Sequence, residues 1–393
     1  MSRGRGCLPT RSGLSDRIWW LPRRTATPVF FEPGDENAHG SWTKRDVNLN
    51  RRGFLAACAG AAAVAARPTP ASASVDPNWE IFKRRFIPGG VRVIDTGNND
   101  VSHSEGQGWG LLFAQGNDDR ETFRRLWEWT SGALQRSDGL FSWKWSPRLS
   151  NPVPDKNNAT DGDLLIAWAL TRAARRWNEP GWLELAKRIQ AAILDRLVTE
   201  VHGRTILMPG AEGFVRGSRR IVNLSYYVWL ALNEFAEQPG SDRRWRQLER
   251  DGLWLLDNAA FAVHGLPPDW LLYGNQELRI AEGWPPHFGY DAIRIPLYLA
   301  WRGDRARLGR FLAAWRSPRF GGRPPAWINL VDGSTAPYPS SGGHRAVAAV
   351  TEFVAGGAVG SMPFAELLAS DDYYSASLKL LSNMAARESA AIR

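Results

Sequence analysis

Apolar residues recur at helical spacing in one segment after another beyond Asp76, and this repeat constrains the fold more than any other feature. The segments come in pairs. They cover 105–115 with 120–134, 163–177 with 181–198, 225–237 with 242–258, 292–301 with 305–315, and 344–354 with 373–386. With a further helix at 79–86, the pattern predicts an all-α fold of about eleven to twelve helices that repeats roughly every 60 residues.

Helix pairs of this period build either an open solenoid or a closed ring of hairpins. The first helices of the early pairs begin with polar residues. These are Ser104-Glu105-Gly106-Gln107, Thr160-Asp161-Gly162-Asp163, Asn223-Leu224-Ser225-Tyr226 and Gly289-Tyr290-Asp291. In a ring the first helices run parallel, so their polar starts would meet at one end and form a site. Helix capping is the competing explanation of any single motif, because Ser104, Thr160 and Asp161 are also good N-cap residues.

The second of these polar starts belongs to a longer motif. It reads Ala159-Thr160-Asp161-Gly162-Asp163-Leu164-Leu165-Ile166-Ala167-Trp168-Ala169-Leu170. This motif resembles the signature of glycoside hydrolase family 8, although Thr171 stands where that family usually has an aliphatic residue or glycine. The similarity runs from about Asn78 to the C-terminal helix. The resemblance implies an (α/α)6 barrel and an inverting endo-glycosidase.

Hydrolysis of a sugar linkage with inversion needs two carboxyl groups, roughly 6.5 to 9.5 Å apart. One protonates the leaving oxygen and the other activates water on the opposite face. Glu105 is the candidate acid, since Gly106 would allow a substrate to approach and Trp109 would favour the protonated carboxyl. The resemblance implies that Asp291 is the base. Arg294 lies three residues further on the same helix face and is expected to pair with Asp291 and keep it ionised.

The resemblance also implies roles for residues in the other motifs. Asp161 would hold the sugar at the cleavage point and support catalysis electrostatically, and Tyr226 would position the attacking water, although Leu224 replaces the usual proline. Gln107, Asn223 and Arg294 are expected to contact substrate, whereas Asp163 is expected to cap or support. Among the 20 tryptophans, those next to the motif loops are candidates for stacking on sugar rings. They are Trp109, Trp143, Trp145 and Trp284.

Residues 1–73 are interpreted as an N-terminal extension with an export signal that is removed, and residues 74–393 as one catalytic domain. Arg51-Arg52 precede a thirteen-residue apolar or small stretch, 54–66, and the small-residue site Ala71-Ser72-Ala73 follows. This order is typical of twin-arginine export, which predicts a periplasmic or secreted protein without a membrane anchor. Both cysteines fall in this extension, so the domain needs no disulfide.

The charge distribution disfavours nucleic acid as a partner. Residues 1–73 hold 11 of the 49 basic and 5 of the 40 acidic residues, which leaves residues 74–393 with a net charge of only +3. The six histidines are scattered without ligand spacing, so we expect no metal and no cofactor. The domain has no appended carbohydrate-binding module. The sequence therefore predicts a monomeric endo-β-1,4-glucanase resembling the endoglucanases encoded beside bacterial cellulose synthases, where trimming of nascent glucan would be its role.

Three alternatives remain open. The same fold could act on chitosan, xylan or mixed-linkage glucan, although in the chitosan branch the base lies elsewhere and Asp291 argues against it. A glucan-binding protein without catalysis would keep the tryptophans and not need the carboxyl pair. A helical scaffold for protein partners would need neither.

Overall fold

The fold was examined in a computed structural model that describes residues 76–320, 323–357 and 360–391. The predicted extension and export signal, residues 1–73, lie outside these residues. Among the described residues, no helix combines the length and apolarity that crossing a membrane requires.

Eleven α-helices form in the described part of the chain, within the predicted number. They are α1 (Pro77–Phe86), α2 (Ser104–Gly116), α3 (Arg120–Leu134), α4 (Thr160–Trp177), α5 (Pro180–Arg196), α6 (Trp229–Ala236), α7 (Arg244–Asn258), α8 (Arg294–Trp301), α9 (Gly309–Trp315), α10 (Gly342–Ala355) and α11 (Tyr373–Ala391). Helices α6 and α9 start later than predicted, because short 3₁₀ turns precede them. These turns are Leu224–Tyr226 and Arg305–Arg307.

The helices form the predicted (α/α)6 barrel. Helices α2, α4, α6, α8, α10 and α11 contact one another in this order, and α11 closes the ring against α2. Helices α3, α5, α7, α9 and α1 pack on the outside, against α2, α4, α6, α10 and α11 respectively. The predicted pair 344–354 and 373–386 packs together as α10 and α11, but unlike the other pairs both of its helices belong to the inner ring. Helix α11 is buried along most of its length, as an inner position requires.

The inner helices begin at the same end of the ring, as the polar motifs predicted. The other ends of α2, α4, α8 and α11 are joined by a partly buried polar cluster. Arg172 of α4 makes a bidentate ion pair with Glu388 of α11 at 2.6 and 3.0 Å, and the Trp301 indole N–H at the end of α8 donates to the same carboxylate at 2.9 Å. Gln115 of α2 accepts from Arg172 at 2.8 Å. The polar motifs therefore lie at one end of the barrel, and the Arg172–Glu388 cluster lies at the opposite end.

Short strands were not predicted, because none exceeds four residues and alternation cannot show over such lengths. They are β1 (Ser102–His103), β2 (Lys144–Trp145), β3 (Val198–Val201), β4 (Arg204–Leu207), β5 (Val215–Arg216), β6 (Arg219–Val222), β7 (Leu271–Gly274), β8 (Glu277–Ile280), β9 (His287–Phe288) and β10 (Ile328–Asn329). Strands β5 to β8 form an antiparallel sheet in sequence order, and β1–β2, β3–β4 and β9–β10 pair separately. Asn275 and Gln276, with φ of 52° and 61°, close the β7–β8 hairpin.

Glycines at the crossing of α2 and α4 let these helices approach closely beside the site. A Cβ at Gly162 would lie 2.7 Å from Ser104 Cβ and 2.8 Å from the Glu105 nitrogen, which is backbone and cannot rotate away. We expect Gly162→Ala to lower the free energy of unfolding by about 1–3 kcal/mol, because α4 must move away from α2. Urea unfolding measures this loss.

The matched control is Gly132→Ala in outer helix α3, where an added Cβ meets nothing within 4 Å. This variant should gain up to about 1 kcal/mol, because alanine favours a helix over glycine. Equal stability changes in the two variants would contradict the close helix crossing.

Candidate active site

A buried arginine lies where four of the inner helices begin. Arg294, at the start of α8, has no solvent exposure. Its Nη1 forms ion pairs with Glu105 Oε1 and, at 3.0 Å, with Asp161 Oδ2. Its Nη2 contacts Asp291 Oδ1 at 2.7 Å and Ser225 Oγ at 2.9 Å. One guanidinium therefore joins the four polar motifs that the sequence analysis singled out.

The three carboxylates around Arg294 outnumber the single positive charge. Burial raises the pKa of Asp161 to about 7. Burial also raises the pKa of Asp291 well above its usual range, and the charges of Asp269 and Asp161 raise it further, while a hydrogen bond from Asn223 opposes them. The expected ion pair of Arg294 with Asp291 forms, but the pKa of Asp291 is raised rather than lowered, and the guanidinium is shared among three carboxylates.

Asp269 positions Asp291, and the sequence analysis missed it. Asp269 Oδ1 accepts hydrogen bonds from the backbone N–H of Gly289 at 3.0 Å and of Ala292 at 2.7 Å, one on each side of the Tyr290-Asp291 pair. Burial raises the pKa of Asp269 to about 7. The residue stands after Pro267-Pro268 and before strand β7, outside the helix pairs, where the repeat gave no signal for it.

Tyr226 lies beside this cluster, as expected from its motif. Its ring is 5.7 Å from the Arg294 guanidinium carbon, and burial together with the charges of Asp161 and Asp291 raises its pKa. Asn223 accepts from Ser225 N–H and Oγ at 3.0 and 2.7 Å and caps the 3₁₀ turn Leu224–Tyr226. The turn before α6 therefore fixes both side chains relative to Asp291.

Three predicted substrate contacts are wrong, because the side chains of Gln107, Trp109 and Arg294 are completely buried. Gln107 bonds to Val93 through both ends of its amide, at 3.0 and 2.9 Å, and holds that loop against α2. Trp109 packs between Tyr374 and the Arg294 guanidinium, with centroid distances of 6.1 and 5.9 Å. Gln107 and Trp109 support the site from the core side of α2.

The role predicted for Gly106 is also wrong. A Cβ at this position would lie 3.2 Å from Cζ of Tyr373 in α11. The glycine therefore admits a neighbouring helix rather than a substrate. Ser104 and Thr160 are not N-caps either, because His103 and Ala159 take those positions without side-chain caps. Capping does not explain these two motifs.

Asp163 has the supporting role expected of it. It is fully buried and accepts from the Phe141 N–H at 2.8 Å and from Asn158 Nδ2 at 2.7 Å. Burial raises its pKa to about 7. These bonds fix the segments before α4, from which Trp143 and Trp145 extend.

The three remaining tryptophans are partly exposed, and they differ in their surroundings. Trp143 stacks on His103 at 6.0 Å and donates to Asp155 at 2.8 Å. One face of Trp145 is covered by the Arg92 guanidinium at 4.6 Å. Trp284 instead stacks on Trp270 at 5.3 Å, a residue that the sequence analysis missed.

Trp270 connects this stack to the site. It contacts Tyr226 edge to face at 6.1 Å and stacks on Phe214 at 5.7 Å with an interplanar angle of 4°. Phe214, Trp270 and Trp284 together form an aromatic wall beside the carboxylates. Such flat faces suit the C–H surfaces of sugar rings.

A ring of inner helices with two acidic residues and an adjacent aromatic wall defines a glycoside hydrolase. The model of the family described as glycosyl hydrolases family 8 matches residues 53–388, and the chain belongs to that family.

Relatives of known description agree with this membership. A probable endoglucanase from Novacetimonas hansenii is 42% identical over 325 residues, 81% of this chain and 93% of its own length. The crystal structure of a family 8 endoglucanase from Klebsiella pneumoniae matches with a TM-score of 0.74 and 40% identity, over 80% of this chain and 99% of that one. An endo-β-1,4-glucanase from Acetobacter xylinum matches with a TM-score of 0.73 and 41% identity, over 81% of this chain and all of that one.

Proposed function

We propose that this chain is an inverting endo-β-1,4-glucanase that hydrolyses internal linkages of cellulose-type glucan. The observation that supports it most is the placement of Glu105 and Asp291 on different nitrogens of the same buried guanidinium, beside an aromatic wall. The relatives from Novacetimonas hansenii and Acetobacter xylinum, described as endoglucanases at about 42% and 41% identity, support the choice of substrate.

Glu105 is the proposed general acid. It lies in the first turn of α2 with 8% of its side chain exposed, so one edge can reach a bound sugar. In the reaction its carboxyl proton passes to the glycosidic oxygen while the bond from that oxygen to the anomeric carbon breaks.

Asp291 is the proposed general base, with 12% of its side chain exposed. It takes a proton from a water that attacks the anomeric carbon from the face opposite the leaving oxygen, and Tyr226 holds that water. The raised pKa of Asp291 makes it a better proton acceptor once it is ionised. Asp161 supports the reaction electrostatically and Arg294 balances the charge of the carboxyl groups. The partly exposed Trp143, Trp145 and Trp284 are the proposed sugar contacts.

Release of reducing ends from a panel of polysaccharides tests the proposal. We expect cleavage of carboxymethylcellulose and of neutral hydroxyethylcellulose, with a rapid fall in viscosity because internal bonds are cut. Preferential cleavage of chitosan, xylan or mixed-linkage glucan would redirect the substrate assignment. Binding of glucan without cleavage of any polymer would replace the enzyme with a glucan-binding protein.

The pH profile should respond to Asp269. Asp269→Asn keeps an oxygen for the Gly289 and Ala292 N–H groups but removes the negative charge that raises the pKa of Asp291. Asp291 should then ionise at lower pH, so the acidic limb of kcat/KM against pH should move to lower pH. Asp257→Asn, an exposed site paired with Arg307, is the control. An unmoved acidic limb in Asp269→Asn would contradict this coupling.

The cellular context is proposed from the sequence. We propose that residues 74–393 form one catalytic domain, which is exported with the help of residues 51–73 to the periplasm or the medium and acts as a monomer. A role beside cellulose synthase, trimming nascent glucan, is the proposed setting. Western blots of periplasmic and cytoplasmic fractions, in cells with Arg51→Lys/Arg52→Lys and without it, test the export step.

A further inference from the structure

One face of the sheet β5–β8 lies on the barrel, and the other carries partly exposed arginines at its rim. In an antiparallel sheet, paired residues lie on the same face. Ile221 pairs with Leu272, which pairs with Arg279, so these three residues share a face. Arg219 lies two residues from Ile221 on the same strand and pairs with Arg216, so both arginines lie on that face as well. Val222, Leu271 and Tyr273 lie on the opposite face and are buried against the barrel. This second face accordingly carries three arginines around the buried Ile221 and Leu272.

The aromatic wall continues onto this same face. The Ile221 N–H donates to Phe214 O, which extends the β5–β6 pairing by one residue. The Ala281 N–H donates to Trp270 O, which extends the β7–β8 pairing in the same way. Phe214 lies opposite Ile221, and Trp270 is two residues from Leu272. Both rings therefore project on the arginine side of the sheet. Gly274 lies against Arg219 and is four residues from Trp270 on the same strand. Arg219 is therefore about 13 Å from Trp270 along β7.

A pocket of about 520 Å³ opens on this face. Arg216, Arg219, Ile221, Leu272, Glu282 and Gly283 line it together with the turn at 217–218. Arg279 is paired with Glu277 at 2.5 Å, whereas among the described residues Arg216 and Arg219 make no ion pair. Arg216 donates to the carbonyls of Gly213 and Val215 at 2.9 and 3.0 Å, which holds its guanidinium at the pocket. Glu282 is the one acidic lining residue.

We propose that this pocket is a subsite for acidic substituents on a β-glucan chain, a conclusion that rests on the proposed function. A glucan that stacks on the partly exposed Trp284 and continues along β7 would bring a carboxylate on a sugar to Arg216 and Arg219. The planar guanidinium suits carboxylates, because it can donate two parallel hydrogen bonds. Ile221 and Leu272 supply an apolar floor for the sugar. The site would let the enzyme retain carboxylated glucan more tightly than neutral glucan.

Affinity electrophoresis through gels that contain carboxymethylcellulose or neutral hydroxyethylcellulose tests the proposal without requiring cleavage. The test variant is Arg216→Gln/Arg219→Gln. The matched control is Lys187→Gln/Arg188→Gln, which removes the same charge from exposed positions of outer helix α5. We expect the test variant to bind carboxymethylcellulose about fivefold more weakly than wild type, because two exposed charge contacts are lost. Its retention by hydroxyethylcellulose, and both retentions of the control, should be unchanged.

Salt gives a second readout. In about 0.5 M salt, where exposed charges are screened over a few ångströms, wild type and the test variant should bind carboxymethylcellulose equally. Equal weakening by the test and control variants would show a general charge effect and overturn the subsite. If the test variant loses as much retention by hydroxyethylcellulose as by carboxymethylcellulose, the substitutions have damaged the sheet, and the proposed subsite is also wrong. If wild type binds both polymers but cuts neither, the proposed catalysis is wrong. The retention of wild type and of the test variant in the two gels still decides whether the subsite exists.

Discussion

Replacing either member of the carboxyl pair is expected to reduce kcat by about a thousandfold. Glu105→Gln preserves the shape of the side chain but removes the proton that the leaving oxygen needs. Asp291→Asn removes the group that accepts a proton from water. Because both variants keep the aromatic wall, binding of glucan should be retained. Rates of reducing-end release, measured beside retention in hydroxyethylcellulose gels, give the comparison.

The control for this pair is Glu184→Gln, an exposed carboxylate in outer helix α5 that should retain wild-type activity. Thermal unfolding of each variant separates a lost reaction from a lost fold. A Glu105→Gln or Asp291→Asn enzyme that folds and retains more than about a tenth of wild-type kcat would contradict the assigned role.

Removal of the central arginine is expected to have the largest effect on stability. Arg294→Met leaves Glu105, Asp161 and Asp291 buried without their shared cation, which should lower the free energy of unfolding by about 3–5 kcal/mol. Without the cation, these carboxyl groups bind protons more strongly in the folded than in the unfolded chain. Stability should therefore fall further as the pH rises above the unfolded carboxyl pKa, near 4.

Urea unfolding at pH 5 and pH 8 measures this dependence. Arg310→Met is the control, because Arg310 is partly buried but donates to the backbone carbonyls of Gly265 and Leu256. Its loss should be smaller and should change less with pH. A loss in Arg294→Met that is the same at both pH values would contradict the electrostatic role of the arginine.

Much of the fold was predictable, because an inner helix of a ring must bury apolar residues at regular spacing. The bounds of α3 were predicted to the residue, and the polar starts of α2, α4 and α8 identified the functional end of the barrel. The fifth pair packs together as predicted, but the inner position of both its helices was not predictable, because periodicity shows that a helix is buried and not which neighbours cover it. The inner position of α10 depends on contacts with α8 and α11 that sequence spacing does not encode.

The site was predictable in its acids but not in its supporting residues. The helical spacing of Asp291 and Arg294 predicted their ion pair, whereas the contact of Arg294 with Asp161 joins residues 133 positions apart. Trp109 and Gln107 were misjudged because residues 104–115 of α2 are all buried, so periodicity cannot separate a cleft face from a core face. Asp269 and Trp270 precede a strand of four residues, too short for any pattern to indicate.

The anomeric configuration of the first product tests the central proposal most directly. Proton NMR of a soluble cello-oligosaccharide, recorded within the first turnovers and before mutarotation, distinguishes the two outcomes. If Glu105 protonates the leaving oxygen while Asp291 activates water from the opposite face, the released reducing end is the α-anomer. Initial release of the β-anomer would mean retention through a covalent intermediate and would contradict the assignment of Asp291 as a general base.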